Sequence, residues 1–131
     1  MFFKNIDLIK KLKKKGYKDR EIHHVIYLIE WRSQLVNNEV KYGFDWTYTD
    51  YGPTSKTIDY ILNSGRPIKA LKKDKEVNHV LRTIDKNIDG MNRRDLLYKL
   101  WRSTFPILIT NKYSVIDFKN CHKRYNDEML D

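Results

Sequence analysis

The stretch Asp19-Arg20-Glu21-Ile22-His23-His24-Val25-Ile26-Tyr27-Leu28-Ile29-Glu30-Trp31-Arg32-Ser33-Gln34-Leu35-Val36 decides the fold. Its apolar residues recur at helical spacing and cover well over half of the helix circumference. The pattern therefore predicts a central, largely buried helix rather than a surface one. Asp19 reads as its N-cap, and Asn37-Asn38 ends it. Such a helix needs neighbours on several sides, and the rest of the chain reads as their source.

Upstream, a first helix is predicted from Asn5 to Lys15. Asn5 is its N-cap, Asp7 lies at the positive end of the helix dipole, and Gly16 follows as the C′ residue. Its lysines, Lys10, Lys11, Lys13, Lys14 and Lys15, suit the negative end of that dipole and a solvated face. They are also one candidate nucleic-acid contact.

Downstream, the period changes from helical to two over Val40–Thr49. Val40, Tyr42, Phe44, Trp46 and Tyr48 alternate with Lys41, Gly43, Asp45, Thr47 and Thr49, a strand signal with one aromatic face. Gly43 is a candidate turn or bulge that would split it into a short hairpin. Tyr51-Gly52-Pro53-Thr54-Ser55 is read as a sharp turn, with Thr54 or Ser55 capping a helix to Asn63 and Gly65 closing it. A basic connector follows, with a short extended piece at 68–71. Further helices are predicted over 75–88, from Asn92 to a stop at Pro106, and over 114–125. In the last, Ser114 is the cap and Asp117 sits at N3. Residues 126–131 read as a frayed tail.

The expected fold class is mainly α: a compact domain of five to six helices with a small β-hairpin or short strands around residues 40–50. All 131 residues fit a single domain. One cysteine, Cys121, excludes an internal disulfide and suits a reducing cytoplasm. Charges interrupt the first residues too early for a secretory signal, and no apolar run is long enough to span a membrane. The net charge of +9 favours acidic partners. Yet eighteen Lys against eight Arg, with abundant Asn, Ile and Tyr, is also what an AT-rich genome places on a solvated surface.

No set of catalytic residues stands out. His23 and His24 are adjacent and point about 100° apart on a helix, so they cannot chelate one ion together. Cys121-His122 lacks further ligands at metal spacing. The glycines stand singly, so no phosphate-cradling loop exists. Asp45, Asp50 and Asp59 cluster around the aromatic strand, but edge, turn and helix-surface roles explain them. The expectation is a chain without catalytic residues, metal or cofactor.

Three segments resemble a known family. Val25-Ile26-Tyr27-Leu28-Ile29-Glu30-Trp31 is similar to its conserved helix. Trp46-Thr47-Tyr48-Thr49-Asp50-Tyr51-Gly52-Pro53 is similar to its aromatic strand and Tyr-Gly-Pro turn. Leu97-Tyr98-Lys99-Leu100-Trp101-Arg102-Ser103-Thr104-Phe105-Pro106-Ile107 is similar to its late segment ending in Thr-Tyr-Pro. In this order they resemble the Panacea domain family of SocA-like antitoxins, over about residues 20–125. Glu30 stands where the family has Asp, Trp101-Arg102 replaces Val-Tyr, and the section between Gly65 and Lys75 is short. The resemblance implies a compact helical fold with a small β element. It also implies an antitoxin that neutralises a toxin by direct contact or delivers it to a protease.

The expected activity is thus binding of a protein, a toxin or another component of phage–host conflict. The candidate contacts are Trp46, Tyr48, Tyr51, Gly52 and Pro53, with Arg66 and Lys69 nearby, although the aromatics also suit a core and Gly52-Pro53 a turn. The alternatives are a DNA-binding regulator using Lys10–Lys15 with Arg93 and Arg94, and a phage-encoded inhibitor of a host defence protein.

Overall fold

The computed structural model describes residues 5–129. Its elements are β1 (Asn5–Asp7), α1 (Leu8–Lys14), α2 (Asp19–Asn37), β2 (Trp46–Thr49), β3 (Gly52–Ser55), α3 (Lys56–Ser64), β4 (Lys69–Leu71), α4 (Lys75–Asn87), α5 (Arg93–Arg102), α6 (Phe105–Ile109) and α7 (Phe118–Met129). The fold is mainly α, with two separate two-stranded antiparallel sheets, β1–β4 and β2–β3. The seven helices among the described residues exceed the expected five or six, the short α6 being the extra one.

Helix α2 is the axis. Ile22, Val25, Ile26, Tyr27 and Ile29 are completely buried. Helices α4, α5 and α7 and strand β3 pack around it. Each such side chain contributes about 1.5–3 kcal/mol by leaving water, so no other element buries as much. Val77, Val80, Leu81 and Ile84 face it from α4, and Leu96, Leu97 and Trp101 from α5, as their spacing predicts. At its far end Trp31 meets Phe118, His122 and Tyr125 of α7.

Several boundaries differ from the sequence reading, each for a local reason. Asn5 is not a cap, because Asn5–Asp7 pairs with Leu71–Lys69 as a strand. Asp7 caps α1 instead, accepting from Lys10 N. The N-cap of α2 is Lys18 rather than Asp19, and the Glu21 carboxylate accepts the Lys18 N–H at 2.9 Å. Pro106 does not end α5. Its missing N–H suits the first turn of α6, where it sits. Ser114 is not the cap of the last helix, because residues 113–116 run alongside β2. There Tyr113 N donates to Tyr48 O, Tyr48 N to Ser114 O and Ile116 N to Trp46 O. Asp117 takes over as cap, accepting from Asn120 N. Helix continues to Met129, through most of the expected tail, and residues 1–4 and 130–131 lie outside the described range.

The largest correction concerns Val40–Thr49, where only Trp46–Thr49 is strand. Its partner is Gly52–Ser55, in register Trp46 with Ser55 and Thr49 with Gly52, so the hairpin turns at Asp50-Tyr51 rather than at Gly43. Among the described residues no helix is long and apolar enough to cross a membrane.

Candidate functional site

The irregular path of residues 42–46 is set by one carboxylate. Glu30, on α2, is completely buried. One of its oxygens accepts from Tyr42 N at 2.6 Å and Gly43 N at 3.4 Å. The other accepts from Phe44 N at 3.1 Å and from the Trp46 indole at 3.0 Å. A carboxylate is tolerated in a core only when its oxygens find donors, and here three backbone amides curl around it to supply them. A strand would have turned alternate amides away, so the aromatic alternation cannot become one extended segment. Tyr42 stacks on Phe44 with centroids 5.3 Å apart, and Trp46 sits edge-on to Tyr27 at 5.6 Å.

The second strand of the hairpin is fixed by the adjacent histidines. Ser55 N donates to His23 Nδ1 at 3.1 Å, so Nε2 carries the proton and donates to Asp59 Oδ1 at 2.7 Å. The Ser55 hydroxyl donates to Asp45 at 2.7 Å and accepts from Ile58 N, capping α3. Burial nudges the Asp45 carboxyl upward, but hydrogen bonds from Ser55 and Thr57 outweigh it and hold its pKa at about 2. Serine, histidine and aspartate thus meet, but both nitrogens of His23 are engaged and neither faces the hydroxyl. The arrangement is a lock and not a proton relay.

His24 Nε2 donates to Tyr51 O at 2.9 Å, and its ring lies 5.4 Å from that of Trp101. Burial lowers its pKa to about 4. Gly52 rests on the same pair with φ of +91°, and a Cβ there would lie 2.7 Å from Trp101. Glycine is therefore required at the foot of the turn, for both backbone and space.

The tip carries the exposed aromatics. Tyr51 is 60% exposed, with the Arg20 guanidinium 4.2 Å from its ring centre. Tyr113, exposed and with φ of +71°, donates its hydroxyl to Asp50 at 2.6 Å. Lys112 sits 3.5 Å from Asp50 and 5.9 Å from the Tyr48 ring centre. Tyr98, half exposed, stands edge-on to Trp101 under Arg102. A cleft of about 400 Å³ separates this tip from the start of α2 and is lined by Asp19, Arg20, His23, Asp50 and Asp59 among others. The surface combines aromatic rings with cations, the chemistry enriched at binding hot spots.

The sequence-predicted contacts separate into three groups. Trp46, Gly52 and Pro53 are buried and form the base, whereas Tyr51 is exposed and Tyr48 half buried. Arg66 and Lys69 are exposed elsewhere: Arg66, in the loop after α3, lies over Tyr60, and Lys69 stands opposite Asp7 in the β1–β4 sheet. Arg20 and Tyr113 join the tip from α2 and the 113–116 segment, and Tyr98 on α5 reaches it through Trp101, whose ring lies 6.3 Å from that of Tyr48. No local pattern marks them, because their proximity is tertiary.

The basic set is joined at Lys15 and Arg93. Arg93 donates to Lys15 O at 3.1 Å and stacks on Tyr17 at 3.9 Å, joining the end of α1 to the start of α5. Lys10, Lys13, Lys14, Lys15 and Arg94 are exposed and Lys11 half buried. Cys121 is buried, which pushes its thiol pKa up, and His122 Nδ1 accepts from Gln34 Nε2 at 3.0 Å. Among the described residues no group of His, Cys, Asp and Glu is arranged to hold a metal.

The three segments that carry the family-like pattern converge in space. Glu30 of the first holds Trp46 of the second, Gly52 of the second packs on Trp101 of the third, and Tyr27 bonds the Thr104 hydroxyl at 2.7 Å. No family model, no curated protein and no solved structure matches the chain.

Proposed function

We propose that this chain is a non-catalytic binding module that neutralises a protein partner by direct contact, in the manner of a SocA-like antitoxin. The carrying observation is the contrast within the hairpin: exposed Tyr51 and its cation Arg20 stand on a buried, closely packed base. A rigid platform presenting large rings loses little entropy on docking, so its contact area is converted efficiently into affinity. The convergence of the three Panacea-like segments on that base supports the same reading. The partner is a toxin or another component of phage–host conflict, and a phage-encoded inhibitor of a defence protein would use the surface in the same way.

The second reading is a DNA-binding regulator. It is supported by the meeting of Lys15 and Arg93, which joins the end of the lysine-bearing α1 to the start of α5, where Arg94 follows. The two readings separate by salt, since counterion release makes phosphate binding fall steeply with ionic strength whereas an apolar-centred contact does not.

The test is a tagged pull-down from the native host after nuclease treatment, washed at moderate salt and read by mass spectrometry. The expected result is one stoichiometric protein, especially the product of an adjacent gene. Recovery of nucleic acid alone, and only when nuclease and salt are omitted, would move the assignment to the DNA-binding reading.

A further inference from the structure

On the face formed by α2 and α4 lies a cleft of about 540 Å³ whose charged lining is entirely basic. Arg32 comes from α2; Lys75, His79, Arg82 and Lys86 come from α4. The acids nearest in sequence are engaged elsewhere. Asp74 caps α4 and lies 2.6 Å from Lys41, Glu76 accepts from Asn37 at 3.1 Å, and Asp85, next to Lys86, lies 3.9 Å from Lys15. Among the described residues, Arg32, Lys75, Arg82 and Lys86 take part in no ion pair. Their field is felt at His79: partial burial lowers its pKa, and the charges of Arg32, Arg82 and Lys86 lower it further. Cations left to repel one another mark a surface waiting for an anion.

Beside this cleft is an apolar hollow of about 160 Å³, lined by Leu28, Leu35, Val80 and Leu100 and sharing Arg32 and His79 with it. It is smaller than sites for whole organic ligands, which start at about 300 Å³, and suits a single side chain. We propose that this face is a second binding site, independent of the hairpin, for an acidic peptide segment carrying one apolar anchor residue. The carboxylates would lie along Arg32, Arg82 and Lys86, and the anchor would fill the hollow. Charge complementarity alone would equally suit nucleic acid. The hollow favours peptide, because four aliphatic side chains dominate its lining and Trp31, which also lines it, is 7% exposed with its ring against Phe118 and Tyr125, a poor stacking platform for a base.

The experiment is fluorescence anisotropy with a fluorescein-labelled acidic heptapeptide of glutamates around a central leucine. Binding is expected, weakened about tenfold or more when the leucine becomes serine. The double variant Arg82→Glu, Lys86→Glu, with both residues exposed, keeps its Tm and weakens binding about tenfold or more. In NMR titrations the His79 pKa rises when the peptide is bound, because its carboxylates offset the three cations. The proposal is overturned by absence of binding at millimolar peptide, by equal binding of the leucine and serine peptides, or by an unmoved His79. It is also overturned if a single-stranded DNA of equal charge binds more tightly than the peptide, which would make the cleft a nucleic-acid surface.

Discussion

The root of the hairpin, Tyr42–Trp46, and its tip, Tyr48–Tyr51, are built from the same residue types and are governed by different forces. The root is wrapped around the Glu30 carboxylate, with three amides and an indole pointing inward. The tip is held by backbone pairing, by two side-chain bonds at Thr49, by His24 on the Tyr51 carbonyl and by Tyr113 on Asp50, and leaves its rings to solvent and to cations. In one region aromatic residues follow a buried polar group; in the other they project from a frame made elsewhere. An aromatic stripe in a sequence is therefore a statement about hydrophobicity and not about which rings end up inside.

The sharpest way to break this comparison is at Glu30. Glu30→Ala leaves four donors facing a cavity and is expected to cost about 3–5 kcal/mol in urea unfolding, since each buried unpaired group carries a desolvation penalty. Glu30→Gln keeps one acceptor oxygen and costs less. A loss below about 1 kcal/mol for the alanine variant would mean that the root finds its path without the carboxylate.

The next effect comes from His24, beneath the tip. Its folded pKa of about 4 lies below the ordinary value of 6.5, so the unfolded chain takes up the proton first as pH falls. Stability is at full strength above about 6.5, declines through the window to about 4, and loses about 3 kcal/mol there. Asp45 is lowered from 3.8 to about 2, and its contribution is lost only below that window. Thermal unfolding of wild type and His24→Gln across pH 4 to 7 checks this. The variant profile should be flatter, and parallel profiles would place the acid sensitivity elsewhere.

Much of the fold is legible in the sequence because its helices follow a single rule. Ile22, Val77, Val80, Leu81, Ile84, Leu96 and Leu97 are all buried where the 3.6-residue period puts them, and Asn92 and Ser55 cap the helices they precede. The failures occur where a distant partner decides. Asn5 cannot reveal that it pairs with Leu71, and Ser114 cannot reveal that its carbonyl is taken by Tyr48. The alternation at 40–49 is overridden by a residue ten or more positions upstream. The site divides in the same way: Tyr51 is visible as a turn aromatic, whereas Arg20, Tyr98 and Tyr113 reach it only through tertiary packing.

The smallest effect on stability is expected where the effect on function is greatest. Tyr51 is mostly exposed and its contact with Arg20 lies at the surface, so Tyr51→Ala should cost under about 1 kcal/mol. If the tip is the docking surface, the same change should weaken capture of the protein partner about tenfold or more, as truncation of a hot-spot tyrosine does. Denaturant unfolding and quantitative pull-down on one preparation separate the two readouts. A large drop in stability would merge tip with root and end the distinction between them. Full stability with undiminished capture would preserve the distinction but move the interface off the hairpin. The combination of an intact fold and lost capture is the one that a ring displayed on a buried base requires, because the base contributes the frame and the ring contributes the contact.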